Sequence, residues 1–266
     1  LHKNKKHILL DLSKDIQIVY SPKVEAKLSD AKKNLLAMRA YAEKYEIWQD
    51  LKTDDDLNTA GALKQLIKDM TNLMHKVNEE RTLAIKMEHI PDEEVQNLLR
   101  NLDAMNAFMT VLEALHDGGR EEPPEQIKEI MKDCMSMVRM YVVQNSRNQA
   151  VAYDKLQFFI DRVDDGLQSA RVVQCILDGN SELIKQCHKR CVDWFAQKIF
   201  LNGRKAHYMR IFEGLTGSVE ADSGMKAVHH NISRYLTSRE WQPRILMWCC
   251  SPDTPEYEER VAFMEP

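Results

Sequence analysis

The sequence is poor in the residues that build tight turns. Its 266 residues contain only nine glycines and eight prolines. Because glycine and proline supply most turn chemistry, this scarcity argues against a fold of many short strands joined by tight turns. No segment alternates apolar and polar residues over the length of a strand. The sequence therefore predicts long helices.

Positive charge and long apolar runs are also missing. The formal net charge is −4 and the sequence pI is about 6.2. A nucleic-acid-binding protein usually has a basic face and a high pI, so nucleic acid is not an expected partner. The longest apolar run, Ile245 to Cys250, is far shorter than the roughly 18 residues that a membrane-spanning helix needs, so no membrane segment is expected. Because the chain starts at Leu1, we expect a fragment of a larger polypeptide.

Motifs for nucleotide, calcium and nucleophilic chemistry are absent from the sequence. It contains neither of the glycine-rich phosphate-binding motifs, G-x-x-x-x-G-K-[ST] and G-x-G-x-x-G. The acidic run Asp54 to Asp56 lacks the spacing of a calcium-binding loop. No local signature of a Cys–His nucleophile occurs. We therefore predict no catalytic residue, cofactor or metal. The alternative of acid–base chemistry at Asp161, Asp164 and Asp165 stays open, although acids without a dry pocket are usually solvated.

The six cysteines indicate a reducing compartment. The sequence has no secretory signal and is too long to depend on disulfides, so we expect a cytosolic protein. Cys187 and Cys191, in the sequence CHKRC, share a helix face and could begin a zinc site. Zinc needs about four ligands, and no second pair stands at a matching spacing. A structural role for these two thiols is therefore the favoured interpretation.

Apolar residues recur at steps of three and four along most of the chain, which is the pattern of amphipathic helices. The acidic stretch Thr53 to Gly61 is unpatterned and is predicted to be a linker or loop. A compact bundle and an armadillo/HEAT-like solenoid both fit; the uneven helix lengths favour a degenerate solenoid. We predict an all-α, armadillo/HEAT-like helical solenoid. Its expected helices span about 1–20, 22–51, 62–87, 91–115, 121–143, 149–163, 168–178, 180–202, 204–216 and 222–237.

A polar segment, Gln144 to Gln149, separates two helical patterns and is rich in primary amides. Amides carry both donors and acceptors, which a turn needs when it must satisfy helix ends inside a packed stack. We therefore predict an architectural role for this segment, fixing one helix pair against the next. The residues assigned to it are Asn145, Arg147, Asn148 and Gln149, supported by Phe158 and Phe159.

Basic residues gather in the last third of the chain. They could bind an anionic ligand or the acidic face of a partner. Because exposed helix faces in such arrays are usually charged, a merely solvated face is the alternative. The residues are Lys185, Lys189, Arg190, Lys198, Arg204, Lys205 and Arg210.

Four stretches in the same order resemble the central helical region of inositol-trisphosphate receptors. This region includes the RIH domain, the homology domain that those channels share with ryanodine receptors. The late stretch carries Arg204 and Tyr208, which resemble the domain's last helix pair. The resemblance is closer to the second, more C-terminal copy of the domain. The stretches are NLLAMRAYAEKYEIW, QNLLRNLDAMNAFMTVLEAL, the segment around Asn145 to Phe159, and NGRKAHYMRIFEGL.

The resemblance implies an armadillo-like module in a tetrameric calcium-release channel, on the cytosolic face of the endoplasmic reticulum. Its partners would be other domains of the same polypeptide and neighbouring subunits of the homotetramer. Arg147 stands in a motif similar to a ligand-contact segment of the first copy, but the family's ligand pocket needs an upstream β-trefoil. The sequence has no such pattern, so no ligand-binding residue is assigned.

The resemblance also suggests three regions. Residues 1–90 would be a helical segment that leads into the array, 91–238 the RIH-like domain, and 239–266 an irregular extension. The function implied is regulatory: the module would couple ligand binding to gating of the pore. The alternative is a stand-alone armadillo-like adaptor that binds other proteins.

Overall fold

A computed structural model describes residues 22–49, 51–75, 90–116, 123–202, 205–216 and 223–237. These residues form α-helices and no strand, so the predicted all-α class is confirmed. The predicted helix over 1–20 and the extension 239–266 lie outside the described residues, and the three-region division stays a prediction. The helices are α1 Pro22–Ala42, α2 Tyr45–Gln49, α3 Asp54–Leu73, α4 Glu93–Asn101, α5 Ala104–His116, α6 Glu125–Val142, α7 Ser146–Tyr153, α8 Leu156–Asp161, α9 Ser169–Leu177, α10 Ser181–Asn202, α11 Ala206–Thr216 and α12 Ser223–Thr237.

The prediction of a linker or loop over Thr53 to Gly61 is wrong, because α3 begins at Asp54. Thr53 accepts a hydrogen bond from the backbone N–H of Asp56 at 3.1 Å, and Asp56 accepts one from the backbone N–H of Thr53 at 2.8 Å. This reciprocal capping box satisfies two backbone donors at the helix start. The acidic residues that suggested a solvated loop are instead the first turn of a helix, where they oppose the positive end of its dipole.

Three predicted long helices are each divided by a short turn. The chain turns between α1 and α2, where the carbonyl of Tyr41 accepts from the backbone N–H of Lys44 at 3.1 Å and from the indole of Trp48 at 2.8 Å. It turns again between α4 and α5 at Asp103, whose φ of 57° is left-handed, a conformation that aspartate tolerates better than most residues. A third turn separates α7 from α8. Apolar periodicity continues across all three turns and therefore hides them.

The helices pack in two layers. One layer runs α1, α3, α6, α9, α11, each helix against the next. The other contains α5, which packs on α1 and α6, and α10, which packs on α11 and α12. One continuous set of buried apolar side chains fills the space between the layers. This order of neighbours is compatible with a solenoid.

No helix among the residues that the structure describes combines the length and the apolar character that crossing a membrane requires.

Helices α9 and α11 approach each other closely at Gly214. A Cβ atom at this position would lie 3.2 Å from both the Cα and the carbonyl oxygen of Gln174. These are backbone atoms of a packed helix, so they cannot move aside as a flexible side chain would. Glycine in the middle of a helix is normally unfavourable, and here it is the residue that permits the contact.

We expect Gly214→Ala to lower the free energy of unfolding by about 1 kcal/mol, because overpacking outweighs the gain in helix propensity. Gly61→Ala is the matched control. Gly61 lies inside α3 with open space within 4 Å of the point that a Cβ atom would occupy, so alanine there should raise the free energy of unfolding by up to about 1 kcal/mol. Urea unfolding of the two variants measures both effects, and a stabilised Gly214→Ala would contradict the close packing.

Candidate functional site

The C-terminal end of α6 is buried in the array, yet all of its last carbonyls have partners. A helix leaves its last four carbonyl groups without partners in the helix itself. Here two are satisfied by the backbone and two by side-chain amides. The pairs are Arg139 O with Val143 N at 2.9 Å, Met140 O with Gln96 Nε2 at 2.7 Å, Tyr141 O with Asn148 Nδ2 at 2.8 Å, and Val142 O with Asn145 N at 3.2 Å.

Asn148 is the centre of this amide network and is fully buried. Its Nδ2 donates to the carbonyl oxygens of Tyr141 at 2.8 Å and Gln96 at 3.1 Å. Its Oδ1 accepts from the guanidinium of Arg100 at 2.9 Å. Asn148 thus joins α4, α6 and α7, and every polar atom of its side chain has a partner, as a buried amide requires.

Gln149 makes the corresponding connection to the next helix of the layer. Its Nε2 donates to the carbonyl oxygens of Cys175 at 2.9 Å and Asp178 at 2.8 Å, at the C-terminal end of α9. Its Oε1 accepts from Nδ2 of Asn180 at 3.1 Å. The side chain is 2% exposed. A single glutamine on α7 therefore holds both the end of α9 and the start of α10.

Gln96 and Gln149 make equivalent contacts, Gln96 with the C-terminal end of α6 and Gln149 with the C-terminal end of α9. Each lies four residues after a helix N-cap, Asp92 for α4 and Asn145 for α7. Each donates to the C-cap carbonyl of a later helix and to the carbonyl three residues before it. We call this arrangement the glutamine staple. Its two targets are Met140 and Val143 for Gln96, and Cys175 and Asp178 for Gln149.

The asparagine that follows each stapled helix also repeats. Asn145 Nδ2 donates to Oε1 of Gln96 at 3.2 Å, as Asn180 Nδ2 does to Gln149. Asn145 Oδ1 accepts from the backbone N–H of Asn148 at 3.1 Å, and Asn180 Oδ1 from that of Leu183 at 3.3 Å. Each asparagine therefore caps the helix that follows it and also donates a hydrogen bond to the side-chain oxygen of the stapling glutamine.

Three of the predicted site residues, Asn145, Asn148 and Gln149, come together in this network. Gln96 and Asn180, which were not among the predicted residues, complete the network. The signal was present: Asp92 to Gln96 has the same spacing as Asn145 to Gln149. No partner can be assigned from that spacing alone, because the long-range contacts of Gln96 and Gln149 span 26 to 52 residues.

Phe158 and Phe159 lie on α8, outside the amide network. Phe159 is fully buried, and its ring meets Phe158 edge-on with centroids 5.4 Å apart. The half-buried Phe158 ring contacts His116 of α5 at 6.4 Å and lies 3.7 Å below the guanidinium of Arg162. These rings connect α8 to α5. Arg147 is exposed on α7, Arg204 lies outside the described residues, and the architectural role of both stays a prediction.

Tyr208 lies in a second polar cluster, centred on Asp164 in the loop between α8 and α9. The Tyr208 hydroxyl donates to Asp164, and Nζ of Lys198 donates to the same carboxylate at 2.8 Å. Nε2 of His207 lies 3.5 Å and Nζ of Lys205 3.8 Å from Asp164. Burial raises the pKa of Asp164, but the hydrogen bonds from Lys198 and Tyr208 outweigh it and leave the pKa below the ordinary 3.8. The carboxylate is therefore charged at neutral pH and ties α10 and α11 to the loop.

The acid–base alternative gains no support from this geometry. Asp161 and Asp165 are exposed, and Asp164 is held as an anion by cations. Cys187 and Cys191 are buried beside a cleft of about 340 Å³ that Tyr153 and Arg190 also line. Over the described ranges, no three or more His, Cys, Asp or Glu side chains are grouped so that they could hold a metal ion.

We expect Asn148→Leu to lower the free energy of unfolding by more than about 1 kcal/mol. The leucine would leave the buried carbonyls of Gln96 and Tyr141 without a donor, and each such group costs about 1–3 kcal/mol. The control is Asn58→Leu, at an exposed position on α3. Thermal and urea unfolding measure the difference, and equal stability of the two variants would remove the network's structural role.

A second prediction concerns acid stability. Because the folded pKa of Asp164 is below 3.8, its stabilisation is present above that pH and is lost as the pH falls through the folded pKa. Asp164→Asn should therefore be less stable than the wild type at about pH 7, and the difference in free energy of unfolding should narrow as the pH falls below 3.8. Asp165→Asn, an exposed position in the same loop, is the charge-matched control. A difference that is independent of pH would contradict this account.

Comparison with protein-family models matches residues 60–231, roughly two thirds of the chain, to the RIH domain, the homology domain of ryanodine and inositol-trisphosphate receptors. The match includes every helix of the amide network and the Asp164 cluster. A search of curated proteins found no match.

Proposed function

The chain belongs to the RIH-domain family, and from this premise we propose that it is a regulatory module of an intracellular calcium-release channel. The family is that of ryanodine and inositol-trisphosphate receptors and is not an enzymatic one. The module would couple ligand binding elsewhere in the polypeptide to opening of the pore. Its own residues would carry displacement rather than perform a reaction.

The observation that carries this proposal is the glutamine staple. Gln96 and Gln149 each fix a helix end that lies dozens of residues further along the chain. Because each amide donates to two carbonyls at once, a shift of either helix breaks both bonds together. Units joined in this way move as one body, and a body of this kind can transfer motion between distant sites.

The finer assignment rests on the order of the sequence stretches. Their resemblance is closest to the second RIH copy of inositol-trisphosphate receptors, and we propose that identity here. The corresponding location is the cytosolic face of the endoplasmic reticulum, within a homotetramer. The neighbours would be other domains of the same polypeptide and adjacent subunits.

The proposal predicts a loss of coupling when the staple is removed from the parent polypeptide. We expect Gln149→Leu in the full-length protein to reduce calcium release evoked by inositol trisphosphate, while the affinity for that ligand stays unchanged. The physical reason is that the ends of α9 and α10 lose their connection to α7. Release is measured with a luminal calcium indicator in cells that lack endogenous release channels, and affinity with radiolabelled ligand.

Gln197→Leu is the matched control, because Gln197 is exposed on α10. Equal release by the Gln149→Leu and Gln197→Leu channels would reject a coupling role for the staple. A full-length polypeptide that stays in the soluble fraction and releases no calcium would reject the channel assignment itself and favour the adaptor alternative.

A further inference from the structure

Three arginines stand on successive helices of one layer. Arg139 lies on α6, Arg171 on α9 and Arg210 on α11, and α9 packs directly against both of its neighbours. All three side chains are partly exposed. We call them the arginine row. Neither the amide network nor the Asp164 cluster includes any of these side chains.

The arginine row has no carboxylate partner among the described residues, where no ion pair includes any of its members. Arg171 donates at 3.3 Å to the neutral side chain of Gln168. Nε of Arg139 is buried and makes no hydrogen bond within the same part of the chain. The partly exposed portions of the three guanidinium groups, which no carboxylate of the described residues pairs, remain open to an incoming acceptor.

Arg171 is close enough to Arg139 and Arg210 for both of their charges to act on it. Burial lowers the pKa of Arg171, and the positive charges of Arg210 and Arg139 lower it further. Burial raises the pKa of the half-buried Cys175 thiol, and the positive charges of Arg139 and Arg171 oppose that rise. Asp178 also acts on this thiol, and its carboxylate is exposed at the end of α9, outside the ion pairs of the described residues. Such mutual repulsion is relieved when an anion binds.

We propose that the arginine row is a docking surface for an acidic segment of a partner polypeptide. The guanidinium groups are distributed over three adjacent helices, whose axes lie about 8–10 Å apart in ordinary packing. That distribution suits the successive carboxylates of an extended chain better than one compact phosphate. A nucleic-acid site usually needs a broad basic face, which three arginines on a chain of net charge −4 do not provide. This inference goes beyond the proposed channel role and does not depend on it.

The test measures binding of a fluorescently labelled octaglutamate peptide to the whole chain at low salt. The fluorescence anisotropy of the peptide reports the binding. We expect saturable binding that weakens as salt is added. Arg171→Gln should weaken binding by about fivefold, since a partly exposed ion pair contributes up to about that factor. Arg171→Lys, which keeps the charge, should retain most of the affinity.

Arg39→Gln is the control, because it removes the same charge from an exposed position on α1. Thermal unfolding of each variant verifies that it is folded, and Arg210→Gln replaces Arg171→Gln if the latter is not. Equal affinity of the wild type and the folded row variant would overturn the proposal, as would equal weakening by Arg39→Gln. Displacement of the peptide by single-stranded oligouridine at a lower concentration than unlabelled octaglutamate would overturn it in favour of nucleic acid.

Discussion

The array depends on how buried helix ends obtain hydrogen-bond partners. A helix that ends inside a stack exposes carbonyls that water cannot reach, and each one left unpaired costs free energy. In this chain α6 and α9 both end in partly buried surroundings, and a glutamine from an earlier helix supplies donors for their last carbonyls. The requirement to satisfy backbone groups thereby fixes the register between units that are distant in sequence.

The staple ends at α10, where the type of connection changes. The residue four positions after Asn180 is Ile184, which has no donor to extend the series. Beyond this point α10 and α11 are held to the rest by the Asp164 carboxylate and by the close contact at Gly214. The connections at this end depend on a charged carboxylate, whereas those at the stapled end depend on neutral amides. Low pH should therefore weaken this end of the array before it weakens the stapled end.

The sequence could predict what is local, and it failed where long-range contacts decide. Scarce glycine and proline predicted helices, and the amides of the segment from Gln144 to Gln149 predicted a satisfied, buried turn. The partners of Gln149 could not be predicted, because a spacing of four residues says nothing about which carbonyls it meets. Thr53 to Gly61 misled for a different reason: acids that suit a loop suit the first turn of a helix equally well.

The choice of amides over charges at the stapled ends has a mechanical consequence. An amide presents its two N–H donors at a fixed angle, and Gln149 uses both on carbonyls that are three residues apart. Sliding α9 along its axis by even one residue, about 1.5 Å, would misalign both bonds together. The long, flexible side chain of Lys198 imposes no such geometry on Asp164. The two N–H bonds of each staple therefore fix the register of the stapled helices more strictly than the Lys198–Asp164 ion pair fixes that of α10.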